Sequence, residues 1–127
     1  MGIERIRANK EQNWADMVVV DGPGRWVYVT GKVGFDQPRV LASGGLLAET
    51  RAAYDLIERD LATISANRSL IVKINAAMVD IDRYPEYGKI RKERFGDAPP
   101  ASSTFGVAGL PAGAQIEIDA IAFIPDE

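Results

Sequence analysis

The chain has 127 residues, 46% of them apolar and 26% charged, with a formal net charge of -3, enough apolar material for one core and little room for a second module, so residues 1–127 read as a single domain. It contains no His and no Cys, which excludes Ser-His-Asp and Cys-His nucleophilic sites, zinc sites built on imidazole or thiolate, and any disulfide framework. Lys and Arg form no block along the chain; Lys89, Arg91, Lys92 and Arg94 cluster but alternate with Glu86 and Glu93, which predicts a solvated helix face and no nucleic-acid partner. No apolar stretch approaches the length of a membrane span, and the N-terminus lacks an apolar run behind a basic segment, so a cytoplasmic protein with no membrane partner is expected.

Ile3 and Ile6 fall in a short first segment. Met17 to Val20 is an apolar run that stops at the turn signal Asp21-Gly22-Pro23-Gly24, and Trp26-Val27-Tyr28-Val29-Thr30 follows at once, rich in aromatic and β-branched residues. This pattern predicts a β-hairpin from Met17 to Thr30. Gly31 and Gly34 bracket Lys32-Val33, where a backbone with little side-chain bulk can come close to another group.

From Gly45 the period changes. Leu46, Leu47, Thr50, Ala53, Tyr54, Ile57, Leu61 and Ile64 recur at three and four, and Glu49, Arg51, Asp55, Glu58, Arg59 and Asp60 mostly occupy the other side; an amphipathic helix of roughly five turns is predicted. Ile71 to Ile81 reads as a strand, with Val72, Ile74, Ala76, Met78 and Asp80 on one side and Ile71, Lys73, Asn75, Ala77 and Val79 on the other. Both sides are partly apolar, so one face meets a helix and the other meets something this chain does not supply. A second helix begins near Pro85, carries Tyr84, Tyr87, Ile90 and Phe95, and stops at Gly96. Asp80, Asp82 and Glu86 match no calcium-loop spacing and read as a capped turn.

Ile116, Ile118, Ile121 and Phe123 describe a last strand with a change of phase near Ala120, and Glu117 and Asp119 share one side of it. The order of elements predicts an α+β fold, a mixed sheet with two helices on one face. A sheet covered on one side leaves an apolar face to be buried in an oligomer.

Pro100-Ala101-Ser102-Ser103-Thr104-Phe105-Gly106-Val107-Ala108-Gly109-Leu110-Pro111, followed by Gln115-Ile116-Glu117-Ile118-Asp119-Ala120-Ile121-Ala122, resembles the signature of the Rid family, the YjgF-like reactive intermediate deaminases, in which P-A-R-x-x-x-x-V-x-x-L-P precedes a strand E-I-E-A-I-A. Thr30-Gly31-Lys32-Val33, Glu49-Thr50-Arg51-Ala52-Ala53, and Val72-Lys73-Ile74 through Val79-Asp80-Ile81 are similar to further segments of that family, so the resemblance extends from Met17 onward. It implies a chorismate mutase-like subunit, a homotrimer with clefts between adjacent subunits, and hydrolysis of a reactive enamine or imine to a carbonyl compound and ammonia with no metal and no organic cofactor. Such a reaction needs water placed against an electrophilic carbon and a carboxylate to orient it and carry its proton.

The resemblance assigns that carboxylate to Glu117. Thr30 falls where the family has a Ser near the ligand, and Gly31 beside it offers a backbone N–H. Thr104 falls on a position commonly held by Cys, where a backbone role survives the change, and Ser103 lies in the same binding segment. Trp14 lies near an aromatic residue of the cleft, with packing beside the hairpin as the equal alternative. Gly88 stands where an Asn is usual. The main departure is Ser102, which occupies the place of the Arg that grips a substrate carboxylate. An Arg offers two charge-assisted hydrogen bonds in a planar fork and a Ser one neutral donor, so a 2-imino acid loses on the order of 1.5–3 kcal/mol there. Three readings follow: a substrate with no carboxylate at that end, a replacement cation from Lys32, Arg25 or a neighbouring subunit, or a trimer that binds a small metabolite and catalyses nothing.

Overall fold

A computed structural model describes residues 2–8 and 11–127. Four strands make the main sheet: β3 (Gly24–Val33), β6 (Ile71–Met78), β7 (Ala101–Gly106) and β8 (Ile116–Pro125), in the order β3-β8-β6-β7. The β6–β7 pair is parallel and the others antiparallel, so the sheet is mixed and its two edges are β3 and β7. Two ribbons accompany it, β1 (Ile3–Ile6) with β2 (Met17–Val20) and β4 (Phe35–Gln37) with β5 (Val40–Leu41). Helices α1 (Leu46–Ala62) and α2 (Tyr84–Phe95) complete the α+β fold. No helix is long and apolar enough to cross a membrane among the described residues.

The predicted hairpin from Met17 to Thr30 does not form. Met17–Val20 pairs instead with Ile3–Ile6 in the register Ile3↔Val20 to Ile6↔Met17, while Gly24–Val33 pairs with β8. The Asp21–Gly24 segment is a turn that passes the chain from one sheet to another: Asp21 N–H donates to the Gly2 carbonyl (2.7 Å) and Asp126 N–H to that of Pro23 (3.0 Å). Arg5 ties the ribbon to the main sheet, its guanidinium donating to the carbonyls of Ser69 (2.6 Å), Pro99 (2.8 Å) and Ile71 (3.2 Å).

The core lies between the helices and one face of the sheet. Ala53, Ile57 and Leu61 of α1 and Ile90 of α2 are buried with Ile74, Ile116, Ile118 and Ala120, the i, i+4 stripe of a helix meeting every second residue of a strand. Tyr54 and Tyr87 join the two helices, their hydroxyls 2.9 Å apart and both buried. Along β8 there is no change of phase: Ile116, Ile118, Ala120 and Ala122 all face the core, and Glu117, Asp119 and Ile121 alternate with them as half-buried residues. The apolar Ile121 belongs to the open face. Ile71, expected beside Lys73, turns into the core because a bulge between them puts Ile71 opposite Ala122. Toward solvent the open face carries Trp26, Tyr28 and Phe105, the last two 74% and 54% exposed.

Candidate active site

Glu117 follows from the way β8 begins. Glu49, in the first turn of α1, was expected on the solvated side and is instead buried; its carboxylate accepts the Gln115 backbone N–H (2.8 Å) and side-chain amide (3.1 Å). That clamp fixes the strand two residues before Glu117. Opposite it, β3 carries a bulge between Val29 and Lys32 that brings Gly31 under the Glu117 side chain. A Cβ at Gly31 would stand 3.0 Å from Glu117 Cδ and 3.2 Å from Cγ, and would collide with Oε2. Gly34 makes the other close approach the sequence suggested, against the backbone of Glu49, where a Cβ would lie 2.6 Å from its Cα.

The Glu117 carboxylate opens onto a cavity of about 490 Å³ lined in part by Gly31, Lys32, Phe35, Arg59 and Glu117. Thr30 is exposed beside it on β3. Lys32 is paired with Asp60 of α1 at 2.5 Å, and that hydrogen bond holds the Asp60 carboxyl below its ordinary range. Lys32 is therefore engaged on the β3 edge, three strands away from Ser102.

The opposite edge, β7, gathers a second set. The Ala15 N–H donates to the Pro100 carbonyl (2.9 Å), which seats the 11–16 loop at the start of β7 and brings Trp14 to Ser102 and Thr104. These three, with Ile81, Tyr84 and Arg91, line a cavity of about 410 Å³. Arg91 is its floor. The predicted solvated basic face fails at this residue, which is 1% exposed: its Nη1 donates to Ser102 Oγ (3.0 Å) and its Nη2 to Tyr84 Oη (2.7 Å). The guanidinium also stands 5.6, 5.4 and 5.2 Å from the ring centres of Trp14, Tyr84 and Tyr87, within cation–π range. Burial works against its charge, and the surrounding tyrosine hydroxyls more than offset that, so Arg91 holds its proton more firmly than a free guanidinium. Trp14 thus both packs and lines a cavity. At Gly88, the space of the usual Asn side chain is approached by the Asn13 amide, 3.9 Å from where a Cβ would be.

Ser103 joins neither group. It points to the open face, where its hydroxyl accepts from Lys73 Nζ (2.9 Å), next to the Asn75–Asp119 hydrogen bond of 3.0 Å. Within one chain the predicted residues therefore divide: Thr30, Gly31, Lys32 and Glu117 at the β3 edge, and Trp14, Ser102 and Thr104 at the β7 edge. Arg91, Tyr84 and Glu49 were missed by sequence reasoning. Arg91 did carry a signal, since it stands seven residues after Tyr84 and four after Tyr87 on the buried stripe of α2.

The sequence profile of the family described as Endoribonuclease L-PSP matches residues 6–124. Proteins named 2-iminobutanoate/2-iminopropanoate deaminase are similar to this chain: the human one is 31% identical over 86% of this chain and 78% of its own length, and that of Rattus norvegicus 32% identical over the same shares. Among solved structures, RidA from an Antarctic Psychrobacter superposes with a TM-score of 0.74 at 25% identity, covering 87% of this chain and 88% of that one. YyfB of Yersinia pestis, described as a protein of unknown function of the conserved Rid family, gives a TM-score of 0.78 at 23% identity over 87% and 86%.

Proposed function

Because the chain belongs to the family described as Endoribonuclease L-PSP, the Rid or YjgF-like proteins, we propose that it hydrolyses a reactive enamine or imine to a carbonyl compound and ammonia, without metal or organic cofactor, in a cleft between copies of itself. The observation that carries this reading is the Glu117 carboxylate, held against the Gly31 backbone at the mouth of a cavity by a strand that Glu49 clamps. Water lying on that carboxylate attacks the carbon of a protonated imine as Glu117 takes one of its protons. The C–O bond forms and the C=N electron pair moves to nitrogen. Glu117 then returns the proton to nitrogen, the C–N bond breaks with release of ammonia, and the remaining hydroxyl proton leaves to give the carbonyl. In a chain with no His, a carboxylate held beside the reacting carbon is a group that can make both transfers.

Two half-sites on opposite edges of one sheet meet when the β7 edge of one copy faces the β3 edge of the next, which a closed ring does for every copy at once. The proposed assembly is a homotrimer, and the exposed Trp26, Tyr28 and Phe105 supply apolar surface for it. Substrates of this reading are small metabolites. Ser102 replaces the forked grip on a carboxylate, so the 2-imino acids named for the relatives are expected to be poor substrates in that orientation. A nucleic-acid substrate is disfavoured by charge: among the described residues Arg51, Arg68, Arg83 and Arg94 are each paired with a carboxylate and so are engaged within the chain and not free for phosphates.

The test is a coupled ammonia-release assay on a panel of enamines and imines with and without a carboxylate, run on the natural protein, Glu117→Gln and Ser102→Arg. Turnover by the natural protein that Glu117→Gln abolishes supports the deaminase. Failure on every substrate, with activity on iminopropionate gained by Ser102→Arg, replaces it with a trimer that binds a metabolite and does not turn it over.

A further inference from the structure

Arg91 is a buried cation without an anion. Among the described residues its hydrogen-bond partners are the neutral hydroxyls of Ser102 and Tyr84, its flat faces meet aromatic rings, and its Nε has no partner. Among the described residues no carboxylate pairs with it. A buried charge left uncompensated is costly, and a protein with only a structural use for this position has cheaper residues to place between Tyr84, Tyr87 and Trp14.

The direction of its hydrogen bonds gives the charge a use. A guanidinium only donates, so Ser102 Oγ and Tyr84 Oη both act as acceptors toward Arg91, and each keeps its own O–H proton for another partner. Among the described residues neither hydroxyl has such a partner, and both line the 410 Å³ cavity together with Thr104. Hydroxyls that accept from a cation are polarised and become stronger donors. The cavity therefore presents two O–H donors backed by a full positive charge, and no carboxylate is among the described residues that line it.

We infer that Ser102 and Tyr84, polarised by the buried Arg91, form an anion subsite that receives a carboxylate or a similar oxyanion of the ligand through their hydroxyl groups. The inference deepens the reading of this cleft as the place where the small-molecule ligand binds, and it names the ligand as anionic. The charge that the family motif would place at residue 102 reaches the cavity here from α2, one bond further back, through a side chain that is itself a positioning residue. Recognition by two single donors sets the anion in a different orientation from that imposed by the planar fork of an Arg at 102.

Calorimetric titration with 2-oxobutanoate and with its uncharged counterpart 2-oxobutanamide tests this directly. The natural protein is expected to bind the carboxylate at least about tenfold more tightly than the amide. Ser102→Ala combined with Tyr84→Phe, which leaves the guanidinium in place, should erase that preference; Arg91→Met should erase it as well, and Arg91→Lys should restore part of it. A merely structural Arg91 would lower affinity for both ligands alike. Equal affinity for the two ligands, no binding of either, or a preference that survives in the double variant overturns the inference, and the double variant decides the matter should Arg91→Met fail to fold by circular dichroism. The deaminase reading is judged separately: a protein that prefers the carboxylate yet releases ammonia from nothing in the panel keeps the subsite and loses the enzyme, and one that deaminates neutral enamines without any carboxylate preference does the reverse.

Discussion

Replacing Gly31 with Ala adds one methyl group directly under the catalytic candidate. The Gly31 backbone needs no left-handed conformation, so the change costs nothing in φ and ψ, and its effect is steric. The new carbon would sit 3.0 Å from Glu117 Cδ and closer still to Oε2, inside ordinary contact distance. The obstructing atoms are the end of a flexible side chain, so Glu117 rotates away, the carboxylate moves by on the order of 1 Å, and the fold gives up less than about 1 kcal/mol. A displacement of that size costs a reaction that depends on positioned water about 100-fold in kcat/KM. Gly34→Ala is the control: its methyl would meet the Glu49 backbone, which cannot rotate aside, so that variant loses stability, by about 1–3 kcal/mol or more. Thermal unfolding and ammonia release measured on both proteins separate the two effects. If Gly31→Ala keeps kcat/KM within about twofold of the natural protein while remaining folded, Glu117 does not act from the position described.

Glu49→Ala leaves the Gln115 N–H buried without its acceptor, and urea unfolding should show a loss of about 1.5–3 kcal/mol, with weakened ammonia release because the start of β8 is no longer held. The Lys32–Asp60 pair gives a pH dependence. The Asp60 carboxyl is held below its ordinary value of 3.8 in the folded chain, so the pair stabilises the fold above that pH and the contribution disappears as pH falls through the folded value. Asp60→Asn should therefore lower stability at pH 7 by under about 1 kcal/mol, and the difference in melting temperature from the natural protein should close in acid; a difference that persists there refutes the assignment. Tyr28, 74% exposed on the open face, is the residue to change for the proposed assembly: the natural protein should have the mass of a trimer by light scattering and Tyr28→Asp, still folded, should shift it toward monomer, and an unchanged mass would show that this face is not the interface.

Elements were legible in the sequence where one period dominated, and partners were not. The stripe from Leu46 to Leu61 and the alternation from Val72 to Met78 specify a helix and a strand because burial on one side is written into each of them. Met17–Val20 and Trp26–Thr30 were recognisable as strands, yet the turn chemistry of Asp21–Gly24 describes a change of direction and not the sheet in which each flank ends. The phase change expected at Ala120 has the same origin: Ile121 shares the open face with Glu117 and Asp119, and an apolar residue on a strand does not by its type reveal which face it occupies. At the site, Glu117 and Gly31 were named apart and the bulge that puts one under the other lies in the pairing of β3 with β8. Arg91 was grouped with its charged neighbours by adjacency, although its spacing from Tyr84 and Tyr87 put it on the buried stripe. Glu49 was similarly assigned by residue type, when its partner is a backbone N–H 66 positions away.

Half-sites on opposite edges of a sheet have a genetic consequence. In the proposed ring each copy lends its β3 edge to one neighbour and its β7 edge to the other, so a chain spoiled at Glu117 and a chain spoiled at Ser102 and Tyr84 are defective in different clefts. Mixed in one ring, they leave some clefts built from two sound halves, and two inactive proteins co-expressed in one cell regain part of the activity. The same arrangement confines the harm of one damaged chain: in the proposed ring it spoils the one cleft to which it lends the altered edge, and the remaining clefts keep two sound halves.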